Sequence, residues 1–509
     1  MKVTLIYPNI GGSDTITFNP SFNYGLGIIA ACLKENGHEI QGFNINAPNG
    51  ENIDLENIEN QIRTFNPGLI AFSSVSQQFM FVKQIANHLR KNGIKAKILV
   101  GGIHATVSPE TVLKEDSIDM VCLGEGEYAC LELVNKLEKG EDISDIKNIW
   151  LKKNGNIIKN EIRPIIEDLG SLPFPDRDVF GFKEILEKKR GWIEILAGRG
   201  CAFKCSYCVN SFLSKFYNNK WKIRMRPVDH VLDEIAAIEK NYGKHSIKMI
   251  VFDDDIFTVN KKWINEFCEK YSKRYKYPFS INLRPTNIDE DIANTLKNAG
   301  CAEVKIGIES GSKRVREEIL NRYMTNEQIE KAFMIAKRLG MVTRSYNIIG
   351  MPTETKDELL ETIKLNAKIR PFIMRCAIMY PYRGTEFYEK YIKEGIVDES
   401  KEFKYTSHLE GTILKLEHFT EIDIFKYKKM FRWYVDAYSG IEVADFYKNM
   451  IKVFEKLPDS MWETGEAQNL FNEVDGKIDN FFKQMKKEHY SSTGYIDFNF
   501  SSEYNWRVM

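Results

Sequence analysis

Apolar and polar positions divide the chain into two stretches where strand-like and helix-like periods alternate, followed by one that is helical only. Up to about residue 140, short β-branched or apolar runs at residues 3–7, 39–43, 69–76, 97–102 and 120–123 alternate with helical patterns such as 25–33 and 79–91. That alternation predicts a parallel sheet with helices on both faces. Such sheets take ligands at the carboxyl ends of their strands, which here carry Ser73-Ser74-Val75-Ser76-Gln77-Gln78, Gly101-Gly102-Ile103-His104-Ala105-Thr106 and Gly124-Glu125-Gly126. Each glycine pair alone reads as a tight strand-to-helix turn. Three at one edge read as a crevice where a large, flat or phosphate-bearing ligand approaches the backbone closely. No G-x-G-x-x-G follows the first strand, which argues against a dinucleotide.

Residues 141–190 read as a connector. It contains a hairpin at 149–158 turning on Asn154-Gly155, and an extended segment at 172–177 stiffened by two prolines. From 191 to 395 strands are expected at 193–197, 248–252, 279–283, 303–308, 345–349 and 376–380, separated by helices such as 326–339. Six β/α units predict a partial barrel with its active site at the strand carboxyl ends. Those ends carry a cysteine loop at 198–208, Asp253-Asp254-Asp255, Arg284-Pro285, Glu309-Ser310-Gly311-Ser312, Gly350-Met351-Pro352-Thr353-Glu354-Thr355 and Pro381-Tyr382-Arg383-Gly384-Thr385. Residues 396–509 are rich in aromatic, lysine and glutamate residues at helical spacing, a pattern of core or cap. The expected α/β architecture is therefore an N-terminal Rossmann-like, doubly wound parallel sheet (1–140), the connector, a partial (β/α)6 TIM-type barrel (191–395), and a mainly helical C-terminal substrate or capping region (396–509).

A chain of 509 residues is long enough for two or three cores. Its 71 basic residues balance 71 acidic ones without a block of either sign, so neither nucleic acid nor an anionic membrane is implied as a partner. No signal pattern or membrane-length apolar run is visible, and a cytoplasmic location is expected. Cys32, Cys122, Cys130, Cys268, Cys301 and Cys376 are scattered singly in apolar contexts and read as buried small hydrophobes. Cys201, Cys205 and Cys208 remain, spaced C-x3-C-x2-C with no fourth cysteine nearby. Fully ligated iron–sulfur clusters and structural zinc sites take four protein ligands, so three point to a cluster with one iron open to a non-protein ligand. A zinc interaction module or a non-catalytic iron–sulfur or cobalamin sensor are the other readings; zinc leaves the barrel strand ends unexplained.

The cysteine loop with Tyr207 before its last thiol, Phe252-Asp253-Asp254-Asp255, Gly307-Ile308-Glu309-Ser310-Gly311 and Gly350-Met351-Pro352-Thr353-Glu354-Thr355 resemble radical S-adenosylmethionine (SAM) enzymes. Tyr24-Gly25-Leu26-Gly27, Gly101-Gly102-Ile103-His104-Ala105-Thr106 and Gly124-Glu125-Gly126-Glu127 resemble the cobalamin-binding domain carried by one subgroup, the class B methyltransferases among them. The resemblance covers residues 1–395. It implies a [4Fe–4S] cluster on Cys201, Cys205 and Cys208, with SAM chelating the open iron. It assigns Asp253 and Asp254 to the SAM amino group, Glu309 and Ser310 to its ribose or carboxylate, and Tyr207 with Ile349 or Gly350 to its adenine. Arg284 pairs with a SAM carboxylate, a substrate anion or Asp255. Bland alternatives remain: the Asp triplet as a turn or helix cap, Glu309 as an N-cap partner. For cobalamin it implies contacts from Ser73, Ser74, Gln77, Gly101, Gly102, His104 and Glu125. The motif D-x-H-x-x-G is missing, so His104 is expected as a loop or cofactor-tail contact rather than an axial ligand, with residues 76–79 facing the lower side of cobalt. The implied reaction is methylation of an unactivated carbon through a 5′-deoxyadenosyl radical and methylcobalamin, with cyclisation or rearrangement as the alternative. The implied partners are a small-molecule, lipid or peptide substrate and a reductant such as flavodoxin or ferredoxin.

Overall fold

The computed structural model describes residues 1–10, 21–47, 53–402 and 411–484; residues 11–20, after the first strand, and parts of the 396–509 region lie outside the described residues. The N-terminal strands are β1 (Lys2–Asn9), β2 (Glu39–Asn46), β3 (Leu69–Ser73), β4 (Lys97–Gly101), β5 (Met120–Cys122), β6 (Ile149–Lys153) and β7 (Asn156–Ile158). They form one sheet in the order β2-β1-β3-β4-β5-β6-β7. The first five pair in parallel. Alternation along the strands sends Ile70, Phe72, Ile98 and Val100 into one buried layer with Val82, Ile85 and Leu89. It sends Leu69, Ala71, Leu99 and Met120 into the opposite layer with Leu26, Ala30 and Leu33. Both faces are covered, which is why the runs are continuously apolar.

The hairpin at 149–158 forms where expected, with Asn154 at φ 53° and Gly155 at φ 78°, the twist that a two-residue turn needs. It is not a connector element, however. β6 pairs antiparallel with β5, Met120 opposite Leu151, and so extends the sheet and covers the edge that β5 would otherwise leave open. The proline segment is likewise no free tether. Its Arg177 is buried and binds Glu234, which also accepts Arg226 and the Tyr24 hydroxyl, at 2.7, 2.6 and 2.6 Å.

The second sheet holds β8 (Trp192–Ile195), β11 (Met249–Phe252), β12 (Phe279–Leu283), β13 (Cys301–Glu309), β14 (Val342–Ile349) and β15 (Ile373–Ile378); the short β9 (Gly198–Arg199) and β10 (Arg224–Met225) pair antiparallel beside it. Its order is β15-β14-β13-β12-β11-β8, every neighbour parallel, the open half-barrel that six β/α units predict. Phe252, Phe257, Phe267 and Phe279 pack beneath it, edge-on except for the tilted Phe252–Phe257 pair, with centroids 5.0–5.8 Å apart. The C-terminal helices bury Trp433, Tyr447, Phe454 and Phe471 against Ile349, Leu359 and Ile363, so their aromatic stripes are core against the last barrel units. No helix among the described residues is long and apolar enough to cross a membrane.

Asp436, in the helix Phe431–Tyr438, is 1 % exposed and neither carboxylate oxygen has a hydrogen-bond partner. Burial pushes its pKa from 3.8 up to about 7, against the pull of Arg432. The folded chain thus holds this proton more tightly than the unfolded one, so stability falls as pH rises from about 4 to about 7 and is level beyond. Asp436→Asn is expected to raise the melting temperature at pH 8 and to raise it by markedly less at pH 5. Thermal unfolding at both values checks this, and an equal effect at the two would rule it out.

Candidate active site

The cysteine loop is built by the end of β8. The Asp254 carboxylate accepts the amides of Ala197 and Gly198 and pins the chain as it leaves the strand. Gly200 follows at φ 91°, where a Cβ would lie 2.4 Å from the Lys222 carbonyl, so the β9–β10 ribbon closes only on glycine. Beyond it the Ser206 amide donates to Leu320 O at 3.0 Å and the Ser206 hydroxyl to Ile319 O at 2.6 Å. Cys208 then stands at the N-terminus of the helix Val209–Phe216, without a side-chain capping bond.

Cys205 is buried, and Cys201 and Cys208 are half-buried; all three are free thiols. Burial pushes the Cys208 thiol up to about 12 and raises that of Cys201. Cys205 differs in its neighbours. Its Sγ accepts from Arg284 Nη1 at 3.7 Å and from Arg322 Nη1 at 3.8 Å. Arg284 therefore turns to the cysteine loop rather than to Asp255, donates to Tyr323 O at 3.0 Å, and lies 3.9 Å from the Phe203 ring centroid. Nothing in the sequence pattern singled out Arg322; it follows a single π-turn, Val315–Ile319, in a stretch with no readable period.

Glu309 ends β13 at φ 66°, where the register against β14 shifts. A left-handed glutamate is a strained conformation. It brings the carboxylate within 3.5 Å of Arg322 Nη2 and under the Tyr207 hydroxyl. Burial raises the Glu309 pKa, and Arg322 opposes the rise. A Cβ on Gly307 would meet Glu309 Oε1 at 2.5 Å and Arg322 at 2.8 Å, so this glycine makes the pairing possible. Tyr207, Glu309, Arg322, Arg284 and Cys205 thus form one connected group, with the exposed Asp253 across from Lys305 at 3.7 Å.

Other expected residues are committed elsewhere. The Asp254 carboxylate faces inward, as above, and burial moves its pKa to about 7. Ser310 is wholly buried, its hydroxyl between the Ser312 amide at 3.1 Å and Thr362 Oγ1 at 3.2 Å. Gly350 donates to Glu354 Oε2 at 2.7 Å and has no room for a Cβ, which would meet Ile424 at 2.9 Å.

At the edge of the N-terminal sheet, Ser74 N donates to Gly101 O and His104 N to Ser74 O, drawing β3 and β4 together. Gly102 at φ 86° fits because a Cβ there would lie 2.7 Å from Ser74 O, with the Ser73 hydroxyl at 2.9 Å. His104 is 0 % exposed, shares a hydrogen bond with Ser76 Oγ at 3.1 Å and packs on Phe79. Burial lowers its pKa to about 3, so it is a neutral core residue and not a surface contact. Glu125 is also taken by the protein: Arg199 and Arg224 each lie 3.0 Å from it and the Ile166 amide 2.7 Å. This joins the crevice edge to the barrel two residues before Cys201. Tyr382, from the last barrel strand end, donates to Gln77 Oε1 at 3.4 Å.

Among the described residues no three Cys, His, Asp or Glu side chains converge as a ready-made metal cage. The donor set still suits iron: three thiols, one of them beside two guanidiniums. At the other edge the buried Ser74 hydroxyl and Gln77 Nε2 have no hydrogen-bond partner, which fits a large polar ligand on that edge.

The sequence matches the radical SAM superfamily over residues 195–365 and the B12 binding domain over residues 19–134. It is 30 % identical to an uncharacterized methyltransferase of Pyrococcus horikoshii, over 84 % of this chain and 90 % of the relative. It is 26 % identical to an anaerobic magnesium-protoporphyrin IX monomethyl ester cyclase of Rubrivivax gelatinosus, over 77 % and 70 %. The fold matches the cobalamin-dependent S-adenosylmethionine radical enzyme OxsB, solved with aqua-cobalamin and S-adenosylmethionine bound, at TM-score 0.66 and 18 % identity, covering 96 % of this chain and 76 % of that one. With both cofactor domains matched in order and a relative aligned over most of either chain, the protein belongs to the cobalamin-dependent radical SAM family.

Proposed function

We propose that this enzyme methylates an unactivated carbon of its substrate. The observation that carries the reading is the junction of the two sites: Glu125, on the cobalamin-domain edge, holds Arg199, which leads directly into the cysteine loop. When bound, the [4Fe–4S] cluster and SAM supply a 5′-deoxyadenosyl radical and cobalamin supplies the methyl group. Cys201, Cys205 and Cys208 hold the cluster. Asp253, exposed at a strand end, suits the SAM amino group, and Tyr207 with Glu309 suits its adenosyl portion. Ser73, Ser74, Gln77, Gly101 and Gly102 form the cobalamin edge of residues 1–140. The described C-terminal helices pack on the last barrel units, a position suited to shaping the pocket for a small-molecule, lipid or peptide substrate. A reductant such as flavodoxin or ferredoxin, in the cytoplasm, completes the reading.

The name of the Pyrococcus relative supports methyl transfer, and that of the Rubrivivax relative favours a second reading, ring closure without it. Product analysis of the anaerobically reconstituted enzyme under dithionite separates them. Methylation gives S-adenosylhomocysteine together with 5′-deoxyadenosine; 5′-deoxyadenosine without S-adenosylhomocysteine leaves only the cyclase.

A further inference from the structure

Two arginines converge on one thiol of the cysteine loop, and neither finds an ordinary partner set there. Arg284 is 3 % exposed and Arg322 is 8 % exposed. Each aims Nη1 at Cys205 Sγ, at 3.7 and 3.8 Å. The Nε of each is buried without a hydrogen-bond partner. Arg322 is fixed by Gly307 O at 2.6 Å and faces the Glu309 carboxylate at 3.5 Å. Among the described residues a single carboxylate, Glu309, is in contact with these two cations, and it is itself shared with Tyr207. Among the described residues no guanidinium donates to Cys201 or Cys208: Arg284 reaches Cys201 only through its charge, and Cys208 accepts from Asn210, whose Nδ2 lies at 3.7 Å.

Resting on the radical SAM reading, we infer that Arg322 and Arg284 are positioning residues that set the reduction potential of the cluster through Cys205. Reduction adds one electron and breaks no bond. Charge and hydrogen bonds at the sulfurs govern the potentials of such clusters, and a buried cation acts more strongly than an exposed one. The two guanidiniums stabilise the more negative, reduced state and raise the potential. Glu309 holds Arg322 in place and partly cancels its charge, so its removal acts in the opposite direction.

The test is a potentiometric titration of the reconstituted protein without SAM, with dithionite as reductant, followed by electron paramagnetic resonance, with iron content measured in each sample. Arg322→Gln is expected to shift the one-electron equilibrium about tenfold toward the oxidised cluster, about 59 mV downward. Arg284→Gln shifts it the same way, and Glu309→Gln shifts it upward. Arg322→Lys, which keeps the charge, recovers much of the wild-type value. A purely structural role would change iron content but not move the potential in opposite directions. If Arg322→Gln fails to fold or bind iron, Arg284→Gln and Glu309→Gln carry the test. Potentials identical to wild type in variants with full iron content overturn the inference alone. A wild-type chain that assembles no cluster overturns the radical SAM reading and the inference with it.

Discussion

Alanine at Cys201, Cys205 or Cys208 abolishes reductive SAM cleavage while leaving the fold standing. The effect is all-or-none because the loop has no spare ligand: among the described residues, Cys32, Cys122, Cys130, Cys268 and Cys301 are buried in the cores and Cys376 lies within β15. A cluster held by two thiolates and a barrel wall loses the soft donors that bind iron. The stability cost is small by comparison. Cys205 is 5 % exposed, and losing one sulfur from such a position costs about 1 kcal/mol. Iron content, the visible cluster absorbance and 5′-deoxyadenosine formation are therefore expected to fall to background together, with circular-dichroism melting close to wild type. Cys376→Ala serves as the control that retains all three. Full iron and undiminished SAM cleavage in Cys205→Ala would falsify the assignment of the loop.

How far the sequence foretold this arrangement depends on whether a feature is local. Short apolar runs, unbroken in β3, β4 and β11, marked the strands and their two buried faces, because such a run is written within a few residues. The cysteine spacing was equally local. The hairpin at Asn154-Gly155 was legible as a turn, but its pairing with β5 was not, since edge covering depends on a strand far back in the chain. The same limit applies to side chains. Glycine-rich turns marked the crevice, yet the burial of His104 against Phe79 and the capture of Glu125 by Arg199, 74 residues away, follow only from the packed chain. Arg322 escaped because a buried arginine at a π-turn carries no periodic signal, although Glu309, its partner, lay in a recognised motif.

Glu234→Ala is expected to lower stability by about 3–5 kcal/mol, the cost of stripping one partner from a buried charge group. Glu234 is 1 % exposed and accepts from Arg177, Arg226 and Tyr24, which come from the proline segment, the barrel and the first N-terminal helix. Arg177 also donates to Glu194 O at 2.9 Å and lies 4.9 Å from the Phe22 ring and 4.7 Å from Phe182; Arg226 donates to Leu196 O at 2.8 Å. Removing the carboxylate leaves two guanidiniums inside the joint between the sheets with no counter-charge there, only carbonyls, rings, His230 Nδ1 and the Tyr24 hydroxyl to face. Burial alone would raise the Glu234 pKa, but Arg226 and Arg177 overrule it and hold it below its ordinary 4.5. A depressed folded pKa gives stability that is present above that ordinary value and lost as pH falls through the folded one. The gap between wild type and Glu234→Ala should hence be widest near neutrality and narrow below pH 4.5. Lys270→Ala, which removes exposed ion pairs with Asp229 at 2.7 Å and Glu266 at 2.9 Å, is expected to cost less than about 1 kcal/mol. Urea unfolding of the three proteins at neutral and acid pH decides the matter: a Glu234→Ala loss no larger than that of Lys270→Ala means that the joint is carried by the surrounding apolar packing and not by its charges.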